Sequence, residues 1–94
     1  MSRSEELESR IVTALGAEHV EVQDDSAQHR GHAGASGGAG HYTVVVVAEH
    51  FAGLDRVARH RAVYGAVGDM IPSQVHALVV RAHTPAEWRA RTVN

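Results

Sequence analysis

The sequence predicts an α+β domain with the element order α-β-β-α-β-α, in which helices pack on one face of a three-stranded sheet. Three segments carry helix-start signals or apolar residues at helical spacing, and the stretches between them are rich in β-branched residues, as strands are. The chain has 94 residues, which is enough for one small hydrophobic core and leaves no room for a second. We therefore treat residues 1–94 as a single domain whose core covers residues 4–90.

The first helix and the first strand follow from capping signals and hydrophobic periodicity. Ser2 and Glu5 fit a capping box, and the apolar residues after them recur at helical spacing. Gly16 is suited to end this helix, which is predicted over residues 4–15. The alternation of valine with polar residues over 20–23 predicts a strand with one buried face.

A glycine-rich segment separates this strand from the strongest strand signal of the chain. Residues 28–40 hold five of the nine glycines and almost nothing apolar, so we expect a flexible loop there. Residues 42–48 include four consecutive valines, and they predict the central strand of the sheet, buried on both faces. The first two strands would then form a hairpin with a long loop.

The second half of the chain predicts a helix, a strand and a short helix. Asp55 is suited to cap the second helix, which should end near Asp69 because the proline that follows disfavours its continuation. Residues 75–81 predict a third strand, joined to the central one by a right-handed parallel crossover. Residues 84–87 combine an N-cap threonine, a proline and a glutamate in capping-box order, which places Trp88 in a final helix.

Composition narrows the functional classes. The chain has no cysteine, which excludes disulfides, cysteine-ligated zinc and thiol catalysis by this chain alone. Its net charge of −2 weighs against a broad basic surface for nucleic acid. No apolar run approaches the ~18 residues of a membrane span, and the polar N-terminus does not resemble a secretory signal, so we expect a cytoplasmic protein without membrane insertion. Eight histidines are the anomaly, because histidine is both a proton switch and a common metal ligand.

Several separated motifs resemble the BolA family over residues 5–89. They are the turn and basic helix start in FAGLDRVARHRAVY (51–64), the HAL motif at 76–78, and a glycine-rich loop that carries a histidine. The motifs occur in the family's order and with compatible spacing. The resemblance implies a single BolA-like domain whose fold is similar to the class II KH fold.

The resemblance also implies a metal site. The chain is similar to the family's histidine-loop subgroup, in which two histidines are metal ligands. In that subgroup the loop histidine and the histidine of the HAL motif bind a 2Fe–2S cluster shared with a monothiol glutaredoxin, whose cysteine and bound glutathione complete the coordination. Here these positions are His32 and His76, with His41 as the rival loop ligand. Taken singly, each would be read as a solvated or half-buried histidine. A chain without cysteine is not expected to hold such a cluster stably by itself.

The basic start of the second helix admits three interpretations. Arg56, Arg59 and Arg61 form a solvated helix surface, a docking surface for the partner or for glutathione carboxylates, or a phosphate-contacting surface for DNA. We expect His60 to pack at the helix–sheet boundary, and it is grouped with these three arginines as a candidate contact for the partner or for nucleic acid. The alternative function is therefore a DNA-binding transcriptional regulator that uses this helix. The chain's GxxG matches lie between predicted strands rather than between helices, unlike the backbone clamp of a KH domain.

No arrangement of residues indicates an enzyme. Ser26 is near Asp25 and His29 in sequence, but neighbours in a loop seldom form the fixed triad that acyl transfer needs. We therefore predict a non-enzymatic protein in iron–sulfur cluster handling, iron or redox regulation, or stress response. The free chain's state, monomer or weak homodimer, stays open.

Overall fold

A computed structural model of the chain describes residues 2–26 and 40–92. Its main elements are α1 (Arg3–Leu15), β1 (His19–Asp24), β2 (Gly40–Val47), α2 (Arg56–Val67), β3 (Val75–His83) and α3 (Pro85–Thr92). Single 3₁₀ turns follow β2 and α2. The predicted order α-β-β-α-β-α is confirmed. The predicted loop over 28–40 lies outside the described residues except for Gly40, which begins β2.

The predicted helix caps are present. The Ser2 side chain accepts a hydrogen bond from the Glu5 backbone, and the Glu5 carboxylate accepts one from the Ser2 backbone at 2.9 Å. Gly16 ends α1 in the left-handed conformation, with φ 62°. Asp55 caps α2 by accepting from the backbone N–H of Ala58 at 2.8 Å. These local signals fix both ends of α1 and the start of α2, as the sequence indicated, whereas α2 ends at Val67, two residues before the end near Asp69 that was expected.

The sheet has the strand order β1-β2-β3. β1 and β2 are antiparallel, and Val20 lies opposite Val46. β2 and β3 are parallel, and Val44 lies opposite Val80. Both predicted pairings, a hairpin and a parallel crossover, are confirmed. Because β2 and β3 run in the same direction, the residues at their N-terminal ends are neighbours.

One face of the sheet packs against α1 and α2, as predicted for these two helices, whereas α3 lies against the other face. The core residues on this side are Leu7, Ile11, Tyr42, Val44, Val46, Ala48, Phe51, Val63, Val67, Met70, Val75 and Leu78. Side chains alternate between the two faces of a strand, so the residues between these strand positions point to the opposite side. We call that opposite side the outer face.

The short helix α3 covers only one end of the outer face. His19, Val47 and His83 form a row across the three strands. The ring of Trp88 lies 5.3 Å from that of His19 and 5.5 Å from that of His83, centroid to centroid, and Val47 is fully buried. The next outer-face residue of β2, Val45, is only half-buried. Burial of the central strand on both faces was therefore wrong for most of the outer face.

Candidate histidine site and basic helix

Two of the candidate metal ligands lie side by side at the N-terminal ends of β2 and β3. The ring centroids of His41 and His76 are 5.1 Å apart, with an angle of 47° between the ring planes. His76 is exposed and His41 is half-buried. Thirty-four residues separate them along the chain, so the contact is made by the parallel pairing of the two strands.

A β-bulge directs His76 toward its neighbour. Gly40 lies opposite Val75, and the next residue of β2, His41, lies opposite Ala77. One step along β2 therefore corresponds to two steps along β3. His76 is the extra residue in this step. Bulges commonly re-aim a side chain next to a functional site. Here the bulge brings an exposed imidazole to the edge where β2 begins.

The backbone on the other side of the pair is held by the end of β1. The His41 N–H donates to Ser26 Oγ at 3.1 Å, and the His41 carbonyl accepts from the Asp25 N–H at 2.7 Å. A Cβ on Gly40 would lie 2.5 Å from the Tyr42 ring and 2.9 Å from Ser26 Oγ. The strand therefore passes so close to its neighbours that only glycine fits before His41.

The described residues supply part of a metal site. Among residues 2–26 and 40–92, no group of three or more histidine, aspartate, glutamate or cysteine side chains could hold a metal ion. The pair of His41 and His76 offers two imidazoles, the number of ligands that the sequence-based prediction assigned to this chain. His32, the other predicted ligand, lies outside the described residues. The donor set fits a site that another molecule completes, and it does not fit a site that this part of the chain completes alone.

Part of the basic helix α2 is exposed to solvent. Arg56, His60 and Arg61 are all exposed on α2. The His60 ring stacks on the ring of Tyr64, with centroids 4.4 Å apart and planes 18° from parallel. His60 lies where α2 faces β3, as expected of a residue at the helix–sheet boundary, but its side chain is exposed and stacks on Tyr64, one turn further on. Two guanidinium groups and one imidazole are thus presented to solvent.

Arg59 has a structural role that sequence reasoning missed. Its side chain is only 16% exposed. The guanidinium donates to the Leu54 carbonyl at 2.9 Å, to the Ala82 carbonyl at 3.3 Å and to both carboxylate oxygens of Glu87 at 2.6 and 3.0 Å. This bidentate pair lowers the pKa of Glu87 to about 2. Arg59 therefore fastens α2 to β3 and α3, and no spacing rule in the sequence announces such a contact.

A second histidine group, at the opposite end of the outer face, had no predicted role. Besides its contacts with His19 and His83, the Trp88 ring has the Arg91 guanidinium 4.2 Å from its centroid. Burial lowers the pKa of His83, and the nearby charge of Arg91 lowers it further. This group holds α3 against the sheet, and His83 is favoured there in its neutral form.

Comparison with known proteins agrees with the motifs. The model of the BolA-like protein family matches residues 11–87, most of the chain. Within the described residues, no helix has the length and apolar character of a membrane span.

Similar proteins have diverse names. The chain is 37% identical over 83 residues to human BolA-like protein 1, covering 88% of this chain and 58% of the human protein, so it spans little more than half the length of that relative. It is 34% identical over 83 residues to the Vibrio cholerae DNA-binding transcriptional regulator BolA, covering 88% of this chain and 76% of that protein. The structure of the BolA domain of SufE1 from Arabidopsis thaliana superposes with a TM-score of 0.80 at 36% identity, covering 93% of this chain and 96% of that domain.

Proposed function

This chain belongs to the BolA family, and from that membership we propose that it is a non-enzymatic partner of a monothiol glutaredoxin, with which it shares a 2Fe–2S cluster. Its role would be cluster handling or iron and redox regulation. The observation that carries the proposal is the pair of His41 and His76, whose rings meet at one exposed edge.

The chain's own residues would supply two imidazole ligands. His76 is the first, because it is exposed and held out by the bulge. The second is His32 or His41. Two imidazoles on one iron raise the reduction potential of such a cluster relative to four thiolates.

The remaining ligands must come from elsewhere, which supports a partner that carries thiols. This chain has no cysteine, and the described residues offer no third ligand beside the pair. The glutaredoxin's cysteine and its bound glutathione would complete the coordination. Imidazole binds metal only in its neutral form, so the complex should weaken on acidification.

The proposal is tested by mixing the purified chain with a cluster-loaded monothiol glutaredoxin and recording visible absorption and circular dichroism. The wild-type chain should change the cluster spectrum, and His76→Ala should abolish the change. His50→Ala is the matched control, because His50 is another exposed histidine outside the pair. Parallel variants at His32 and His41 identify the second ligand. An unchanged spectrum with the wild-type chain, or an unaltered response of His76→Ala, would contradict the shared site.

A DNA-binding regulator is the alternative function. It is favoured by the name of the Vibrio cholerae relative and by the exposed guanidinium groups of Arg56 and Arg61. Titration with duplex DNA at about 150 mM salt tests it, because contacts to phosphate alone weaken steeply with salt. Sequence-specific binding that Arg56→Ala removes would support regulation. Arg59→Ala is unsuitable for this test, since it would also loosen α3. The cytoplasmic location stays a prediction.

A further inference from the structure

A groove runs between α2 and the outer edge of β3, away from the histidine pair. Its volume is about 730 Å³. It is lined by Leu54, Arg56, Arg59, His60 and the six consecutive strand residues 78–83. Alternate residues of a strand point to opposite faces of the sheet, so a groove lined by consecutive residues runs along the edge of the strand. The backbone of β3 is therefore exposed in this groove.

The backbone of β3 points into this groove at alternate residues. The Leu78 carbonyl accepts from Tyr64 Oη at 2.9 Å, and the Ala82 carbonyl accepts from Arg59 Nη1. These carbonyls therefore point toward α2, whereas the His83 carbonyl points toward β2, where it accepts a backbone N–H. Since backbone direction alternates along a strand, Val80 also presents its N–H and C=O to the groove. Since β3 is an edge strand, no neighbouring strand pairs with these two groups, and no turn, loop or cap of the described residues bonds to them.

The walls of the groove are cationic. Arg56 and Arg81 are exposed, and within the described part of the chain neither forms an ion pair. The third guanidinium, that of Arg59, is neutralised by Glu87. Beside them Val79 is 50% exposed and adds apolar surface. The groove thus combines a strand edge that is open at Val80, an apolar contact and two uncompensated positive charges.

We propose that this groove binds an extended, acidic segment of a partner protein, which adds as a strand to the edge of β3. Val80 would exchange backbone hydrogen bonds with the segment, while carboxylates of the segment meet Arg56 and Arg81. Main-chain pairing of this kind gives affinity, and the charges select acidic partners. None of the lining residues belongs to the histidine pair, so this site is separate from the proposed cluster site.

Two other occupants fit less well. A second copy of this chain would bring the same cationic groove toward itself, and like charges disfavour that contact. Single-stranded nucleic acid usually stacks its bases on exposed aromatic rings. Here the ring that lines the groove is the His60 imidazole, one face of which is already stacked on Tyr64, and no phenylalanine, tyrosine or tryptophan of the described residues lines it. Open backbone groups on an edge strand match a peptide backbone instead.

The test uses a fluorescently labelled octapeptide of alternating glutamate and valine, followed by fluorescence anisotropy with the full chain. The octapeptide should bind and should slow amide hydrogen exchange at Val80. An octapeptide of alternating lysine and valine should not bind. The double variant Arg56→Glu/Arg81→Glu should bind the acidic peptide about tenfold more weakly. Arg61→Glu is the matched control, because it reverses an exposed charge on the same helix outside the groove and should leave binding within about twofold.

Each contrary outcome overturns the proposal. Absence of binding, equal loss with Arg61→Glu, or unchanged exchange at Val80 would show that no strand is added at this edge. Binding of an oligothymidine in place of the peptide, with the same dependence on Arg56 and Arg81, would assign the groove to nucleic acid. Self-association abolished by the double variant would assign it to a second copy.

Discussion

Replacing Gly40 with alanine should destabilise the protein, because the new methyl group has no room. Its Cβ would lie 2.5 Å from a ring carbon of Tyr42 and 2.9 Å from Ser26 Oγ. The Tyr42 ring is 4% exposed, so it is packed in the core and cannot swing aside without disturbing its neighbours. Overpacking of this kind typically costs about 1–3 kcal/mol. For a domain of this size each kcal/mol lowers Tm by roughly 4–8 °C.

Gly65→Ala is the matched control, with the opposite expected sign. Gly65 lies inside α2, and an added Cβ there meets nothing within 4 Å. Alanine in place of an exposed helical glycine should therefore stabilise the fold by up to about 1 kcal/mol. Urea and thermal unfolding followed by circular dichroism measure both variants. A Gly40→Ala protein as stable as wild type would refute the close passage of the strand beside His41, and with it the rigid placement of that ring.

Four further predictions concern the contacts of α3 and the histidine pair. Arg59→Ala should lower the free energy of unfolding by about 2–4 kcal/mol, since two backbone carbonyls lose a charged donor. Urea unfolding measures this loss, and a loss no larger than that of Glu87→Gln would contradict the prediction. The folded-state pKa of Glu87 is lowered from 4.5 to about 2, so the stabilisation by its ion pair should be present above pH 4.5 and lost as the pH falls toward 2. The Tm difference between wild type and Glu87→Gln should therefore vanish over that pH range. The lowered pKa of His83 should make stability fall as pH drops below its ordinary value of 6.5, and His83→Gln should flatten that dependence. His76→Ala should leave stability within about 0.5 kcal/mol of wild type, because the side chain is exposed.

The order of elements could be predicted because it depends on local signals. Ser2, Glu5 and Asp55 form the caps that their sequence positions indicated. The valine run of β2 required a strand whatever its surroundings. The predicted end of β3, at Arg81, was two residues too early, because the strand continues to His83. That extension depends on pairing with β2 and on cover from α3, which a single strand's pattern does not contain.

The candidate site could be predicted only in part. The motifs indicated His76, and His41 was the rival to a loop histidine, but no pattern stated that the two rings meet. Their contact depends on the parallel register and on the bulge opposite Gly40. The Arg59 contacts were missed for a similar reason, since Glu87 lies 28 residues away in sequence. Contacts between side chains that only the tertiary structure brings together do not appear as a periodic pattern in the sequence.

Because β2 and β3 pair in parallel, the rings of His41 and His76 come together only when the whole domain has folded. A hairpin can close locally, whereas parallel neighbours meet only after the intervening helix has crossed over the sheet. Any fragment or partly unfolded species that lacks this crossover contains His41 and His76 far apart. Unfolded or damaged copies would consequently lack the paired imidazoles, and under the proposed function the response of a cluster-loaded glutaredoxin to this chain should be lost on heating as the whole domain melts.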